Sequence, residues 1–170
     1  AAPAKASGTC VTVNRAPVLT LWMSVCLQRL GHSRAASLRA AQAVAGRCAS
    51  AKGRALGVLS PAAPKAKAKA KAKARVASPR AGGDEVEIAG MRVPLDDRAG
   101  SSERVAAYLQ RSFGDRLGEV EAAMAAAAAG TSRADLGIGA MRLYERFRPA
   151  WRGWGVKGEL RVNDILAVVQ

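Results

Sequence analysis

Four side chains are the first to weigh for chemistry: the thiols of Cys10, Cys26 and Cys48, and the imidazole of His32, the only histidine. A zinc centre needs about four nitrogen or sulfur ligands. With no Cys-x-x-Cys pair and one histidine, that ligand spacing is absent. An odd cysteine count argues against a secreted disulfide framework, so the thiols read as free, buried side chains of a reducing compartment. His32 follows Gly31 at an expected helix turn. A catalytic histidine needs a nucleophile and usually an orienting carboxylate, and the first 83 residues hold neither Asp nor Glu. A surface or capping histidine is therefore expected. The acids Asp84, Glu85, Glu87, Asp96 and Asp97 do not follow the spacing of a calcium loop and read as solvated loop charges. The stretch GRCASAKG, Gly46 to Gly53, lacks the Gly-Lys-Ser/Thr ending and the preceding strand of a phosphate loop. The expectation is a protein that is not an enzyme and carries no cofactor or metal. An enzymatic reading requires the fold to bring His32 or Cys48 beside a second-half carboxylate in a pocket.

Charge is the stronger signal. The net charge is +14. Residues 1–83 hold 15 Lys and Arg and no acid, whereas residues 84–170 hold 12 basic and 13 acidic side chains. A one-signed half repels itself unless something neutralises it. The neutralisers that fit are acidic protein surfaces, phosphate backbones and anionic lipid headgroups. No apolar run reaches the ~20 residues of a membrane span, so no transmembrane segment is expected.

Elements follow from periodicity and punctuation. Residues 1–15 read as an extended N-terminal segment. Residues 16–59 read as a basic helical hairpin. Pro17 suits a first helical turn, and Val18, Leu21, Trp22, Val25 and Cys26 recur at helical spacing. Gly31 stops this helix. Ser33 caps a second, expected to run to about Cys48, with Leu38, Ala41, Ala45 and Cys48 inward and Gly46 permitting a close crossing. Arg34, Arg39, Arg47, Lys52 and Arg54 would decorate its outer side. Residues 60–83 form a low-complexity linker in which Lys65, Lys67, Lys69, Lys71 and Lys73 alternate with alanine before Arg75. Period-two charge makes no helical stripe, so this segment should be extended.

Residues 84–170 read as a small helical domain. Val86, Ile88, Met91 and Val93 around Gly90 predict a short β-hairpin. Helices are expected over about 102–113, 115–129 and 133–148, the last started by Ser132 and Asp135 as a capping box. The tail predicts a glycine-rich turn and a short final helix or strand. Trp151 and Trp154 could anchor an interface or close the domain's own core, and the core reading is preferred. The fold class is thus mainly α. Apolar residues make up 49% of the chain, but much of this is alanine and aromatics are only 4%. Helices must therefore pack through small side chains, giving a modest core that depends partly on a partner.

Two wider similarities arise from these segments. Leu27 to Val44, LQRLGHSRAASLRAAQAV, has the outline of a helix-turn-helix, with Arg34, Ser37 and Arg39 facing a groove; any basic helical hairpin gives this signal. More specifically, NRAPVLTLW (Asn14–Trp22), RLGH (Arg29–His32), AVAG (Ala43–Gly46), KGRALG (Lys52–Gly57), LYERFRP (Leu143–Pro149) and GWGVKGEL (Gly153–Leu160) resemble, in this order, a family of uncharacterised bacterial proteins. That family has no assigned activity, so the resemblance implies no functional residues. The acid-free second helix and the Lys-Ala insertion depart from it, which implies an ancestral domain recruited to a basic docking role.

These readings converge on an accessory structural subunit of a large organellar complex, such as a photosystem, a respiratory complex or a ribosome. Its partners would be other protein subunits, with peripheral contact to anionic lipid also compatible with the charge. The start of the chain has no initiating methionine and is rich in Ala, Lys and Ser without acids, which suggests plastid or mitochondrial import after removal of a transit peptide. The alternative is a nucleic-acid-binding protein, ribosomal or chromatin-like, making non-specific phosphate contacts to rRNA or DNA.

Overall fold

Between Pro17 and Leu27 nearly every side chain is apolar, and a helix that is apolar on all sides must be enclosed. The structure, a computed structural model, describes residues 8–57, 85–95, 101–150 and 155–169. In it every residue from Pro17 to Leu27 is buried in helix α1 (Arg15–Arg29). The two polar side chains in this run are satisfied locally: the Thr20 hydroxyl donates to the Ala16 carbonyl, 2.8 Å, and Ser24 accepts from the Gln28 amide, 3.2 Å. The predicted stripe of Val18, Leu21, Trp22, Val25 and Cys26 is inward, but so are Leu19, Met23 and Leu27. α1 is a core helix, not an amphipathic one.

Its enclosure draws on both ends of the chain. Strand β1 (Cys10–Val13) leads into α1, and α2 (Arg34–Ala55) folds back along it. A hairpin of β2 (Glu85–Ile88) and β3 (Met91–Pro94) follows. Three helices come next: α3 (Ser102–Phe113), α4 (Leu117–Ala129) and α5 (Arg133–Phe147). Strand β4 (Gly158–Arg161) and the one-turn α6 (Val162–Leu166) end the described chain, with a 3₁₀ turn at Ala167–Val169. α2, α4, α5 and α3 all pack on α1. The fold is mainly α, with the expected N-terminal helical hairpin and C-terminal helical region.

Local chemistry sets the boundaries. Ser33 caps α2 by accepting from the Ala36 N–H, and Ser132 caps α5 by accepting from Asp135 N–H while donating to its carboxylate. α2 runs to Ala55, seven residues beyond the expected Cys48, because no proline or left-handed residue interrupts it before Gly57, at φ +70°. Gly46 makes no crossing: it is exposed, and a Cβ there would meet nothing within 4 Å. Gly53 is the buried glycine of this helix. Ser37, which a groove-reading helix would expose, is fully buried. The helix expected from Asp115 opens as a 3₁₀ turn over Gly114–Arg116 and becomes α-helical at Leu117. Of the expected extended segment, residues 1–7 lie outside the described residues, and Cys10–Val13 form the paired strand β1, antiparallel to β4 with Val11 opposite Leu160. The tail contains both a strand and a helix. The linker, residues 60–83, lies outside the described residues.

One contact joins the two halves at the centre. The Trp22 indole is fully buried, its Nε1–H donates to the Ala140 carbonyl of α5 at 2.9 Å, and its ring meets Phe147 edge-on at 5.3 Å. Tyr144 stands edge-on to the same Phe147, at 5.8 Å. The β2–β3 turn, which also contacts α5, is strained. Ala89 and Gly90 both have positive φ, +51° and +76°, as a type I′ hairpin requires. The Ala89 N–H is held by the Gly137 carbonyl, 2.8 Å.

Two stability outcomes follow. Trp22→Ala should cost about 4 kcal/mol through the cavity it leaves and lower the urea midpoint of helix loss, followed by circular dichroism, in a single transition. Ala89→Asn, which suits the left-handed conformation and creates an Asn-Gly turn, should raise stability by about 1 kcal/mol in the same measurement.

Candidate functional site

The predicted docking cations divide once the fold is known. Arg34, exposed at the start of α2, pairs with Glu121 of α4. Arg39, half-buried, donates to the Leu95 carbonyl at 3.2 Å, and Arg47, exposed, to the Arg92 carbonyl at 2.7 Å. A carbonyl partner leaves the charge of Arg47 in place. Arg54 is exposed near the end of α2. Lys65, Lys67, Lys69, Lys71, Lys73, Arg75, Trp151 and Trp154 lie outside the described residues.

Lys52 has a different setting. It lines a cleft of about 320 Å³ between the start of α1, the second half of α2 and the end of α5. Asn14, Arg15 and Leu19 contribute from the first, Cys48 and Lys52 from the second, and Tyr144, Glu145 and Arg148 from the third, with Val156 at the edge. The volume lies within the range of small-ligand sites, ~300–1,000 Å³. Five of the six segments quoted for their resemblance reach this cleft; RLGH lies at the opposite end of α1.

Backbone contacts fix its walls. The Arg15 Nε–H donates to the Pro149 carbonyl at 3.0 Å, and the Tyr144 hydroxyl donates to the Arg15 carbonyl at 3.1 Å. Arg148 forms an i,i+3 ion pair with Glu145 at 2.8 Å. Gly158 closes the edge: a Cβ there would sit 2.6 Å from the Ala150 carbonyl oxygen, so only glycine lets β4 approach the end of α5. Electrostatically the cleft is crowded with positive charge. Burial, and then the nearby Arg148, hold Arg15 below its ordinary pKa. Burial, then Arg15 and Arg148, do the same to Lys52, against the opposing pull of Glu145.

Cys48 and Glu145 thus share a pocket. Burial pushes the Cys48 thiol up, away from the thiolate, and Glu145 is engaged by Arg148. Burial of the thiol opposes thiolate formation, whereas the cations Arg15, Lys52 and Arg148 lining the same cleft favour it. His32 is half-buried in the α1–α2 turn, its backbone N–H donating to the Leu27 carbonyl, 3.1 Å, at the far end of α1 from the cleft. All three cysteines are free: Cys26 is buried as expected, Cys48 half-buried, and Cys10 exposed on the edge of the β1–β4 pair. Among the described residues no group of three His, Cys, Asp or Glu could hold a metal ion, and no helix is long and apolar enough to cross a membrane.

Sequence reasoning placed Lys52 on an outer face and singled out neither Arg15, Arg148 nor Asn14 as site residues. These residues share no spacing, since they come from three elements that only the tertiary fold joins. No family model, curated protein or solved structure matches the chain.

Burial also sets a pH dependence. It raises the thiol of Cys26 and the phenol of Tyr144 well above their ordinary values of 9.0 and 10.0. A raised folded-state pKa leaves stability intact below the unfolded value and removes it as pH climbs toward the folded one. The melting temperature should therefore fall above pH 9. Wild-type protein should lose stability relative to Cys26→Ala as pH rises from 8.5 to 10.5; a constant difference would show that the thiol does not contribute.

Proposed function

We propose that the protein is a non-catalytic structural subunit of a large organellar assembly, a photosystem, a respiratory complex or a ribosome, that docks its basic half on an acidic surface of neighbouring protein subunits. The observation that carries this reading is the segregation of charge. The first 83 residues hold 15 cations and no acid, beside a second half that is nearly balanced. Such a half gains most when an external anion surface neutralises it. The outward-facing Arg47 and Arg54 on α2, and the Lys65–Arg75 segment by composition, are the contacts this reading assigns to the partner. The relationship to the bacterial family belongs to the same proposal, as the origin of the helical scaffold to which the basic segment was added.

The test is co-sedimentation of the full chain with intact organellar complexes, followed through a salt series. Exposed charge contacts weaken as the screening length falls from about 8 Å at 0.15 M salt to about 3 Å at 1 M. The chain should travel with one protein assembly at low salt and be released at high salt. Replacing Lys65, Lys67, Lys69, Lys71 and Lys73 with alanine should release it at lower salt. Association unaffected by salt and by these substitutions would overturn the reading. Equal binding to naked RNA or DNA, with a steep salt slope lost in the same variant, would favour the nucleic-acid alternative instead.

A further inference from the structure

The cleft at the start of α1 has properties that docking by the basic half does not use. Three cations, Arg15, Lys52 and Arg148, face it together with one acid, Glu145. Its remaining wall is largely apolar, formed by Leu19, Ala45, Met141 and Val156. The residues Asn14 to Ala16 line it at the N-terminal end of a 15-residue helix, where the helix dipole adds partial positive charge. Asn14 also brings a buried Oδ1 with no hydrogen-bond partner among the described residues. A side-chain amide can present either its oxygen or its nitrogen by turning over, so this group can serve a bound ligand in either sense.

We infer that this cleft is a binding site for a small organic anion, whose carboxylate or phosphate head is held by Arg15, Lys52 and Arg148 and whose apolar body lies against Leu19, Met141 and Val156. Bringing three like charges to one concave surface is unfavourable in the empty protein. An anion removes that cost. Burial is the larger cause of the lowered basicity of Arg15 and Lys52, and the neighbouring cations add to it. Charge-assisted hydrogen bonds supply the directional part of recognition. The volume of about 320 Å³ accommodates a short aliphatic or aromatic acid. The cleft is lined by neither Arg47 nor Arg54, the two α2 cations that the docking proposal assigns to the partner.

Two readouts on the full chain test this. Calorimetry with hexanoate, hexyl phosphate, inorganic phosphate and hexanol compares the head groups and the apolar body. N-ethylmaleimide alkylation of Cys48, resolved from Cys10 and Cys26 by peptide mass, places the ligand. Hexanoate or hexyl phosphate should bind and slow Cys48 alkylation several-fold, whichever binds more tightly identifying the head group. Inorganic phosphate should bind at least tenfold more weakly, and hexanol should not protect. Lys52→Met and Arg148→Met, both at partly exposed positions, should each weaken binding about tenfold without changing the helical circular dichroism spectrum. Failure of both organic anions to bind overturns the inference, as does equal protection by hexanol, or binding indifferent to both substitutions. None of these outcomes bears on association with an assembly, so the docking proposal stands or falls separately.

Discussion

An α-helix with no polar face cannot stand against water, and the burial of α1 is the constraint on which the rest of the fold depends. Its apolar side chains leave no direction open to solvent from Pro17 to Leu27. α2 covers one side, and elements from beyond the linker must cover the others. Trp22 marks the join. Its ring fills the space beside Phe147, and its only polar atom finds the Ala140 carbonyl, so the largest side chain of the first half is satisfied by the second. Burying the indole without that partner would strand a donor at a cost of about 1–3 kcal/mol.

The same constraint positions the cleft. Enclosing α1 brings the end of α5 beside its first turn. The β1–β4 pair then ties the two ends of the described chain together, with Gly158 permitting the close approach. Arg15, Lys52 and Arg148 come from three elements that would not otherwise meet. Their clustering is electrostatically unfavourable for folding alone, and a stable core can tolerate it. Sites that depart from the local optimum in this way are where function is commonly found.

Local signals carried most of the secondary structure. Ser33 and Ser132 at the caps, Pro17 in the first turn, Gly31 and Gly90 at positive φ and the 3.6-residue spacing in α3 to α5 each act within a few residues, so each is visible in sequence. What was not legible depends on distance. β1 and β4 are four residues each, too short for alternation to announce them, and their partners lie near opposite ends of the chain. The full burial of α1 exceeds what its single helical stripe implies, because Leu19, Met23 and Leu27 stand off that stripe and are buried as well. α2 was expected to end near Cys48, with Gly46 at a crossing, whereas the helix continues to Ala55 and the left-handed residue that follows it is Gly57. The cleft was hidden for the same reason as the strand pair: Lys52 looks outward on a helical wheel until α5 is brought beside it.

The central claim is that α1 is enclosed by both halves and opens only with them. Native-state amide hydrogen exchange measures this directly, because it reports the opening free energy of each segment. The amides of Val18 to Leu27 in α1 and those of Ala140 to Phe147 in α5 should share the slowest exchange and one common opening free energy, close to that of global unfolding. Exchange of the α1 amides through a much lower opening than those of α5 would mean that α1 separates while α5 stays folded, and would contradict the account.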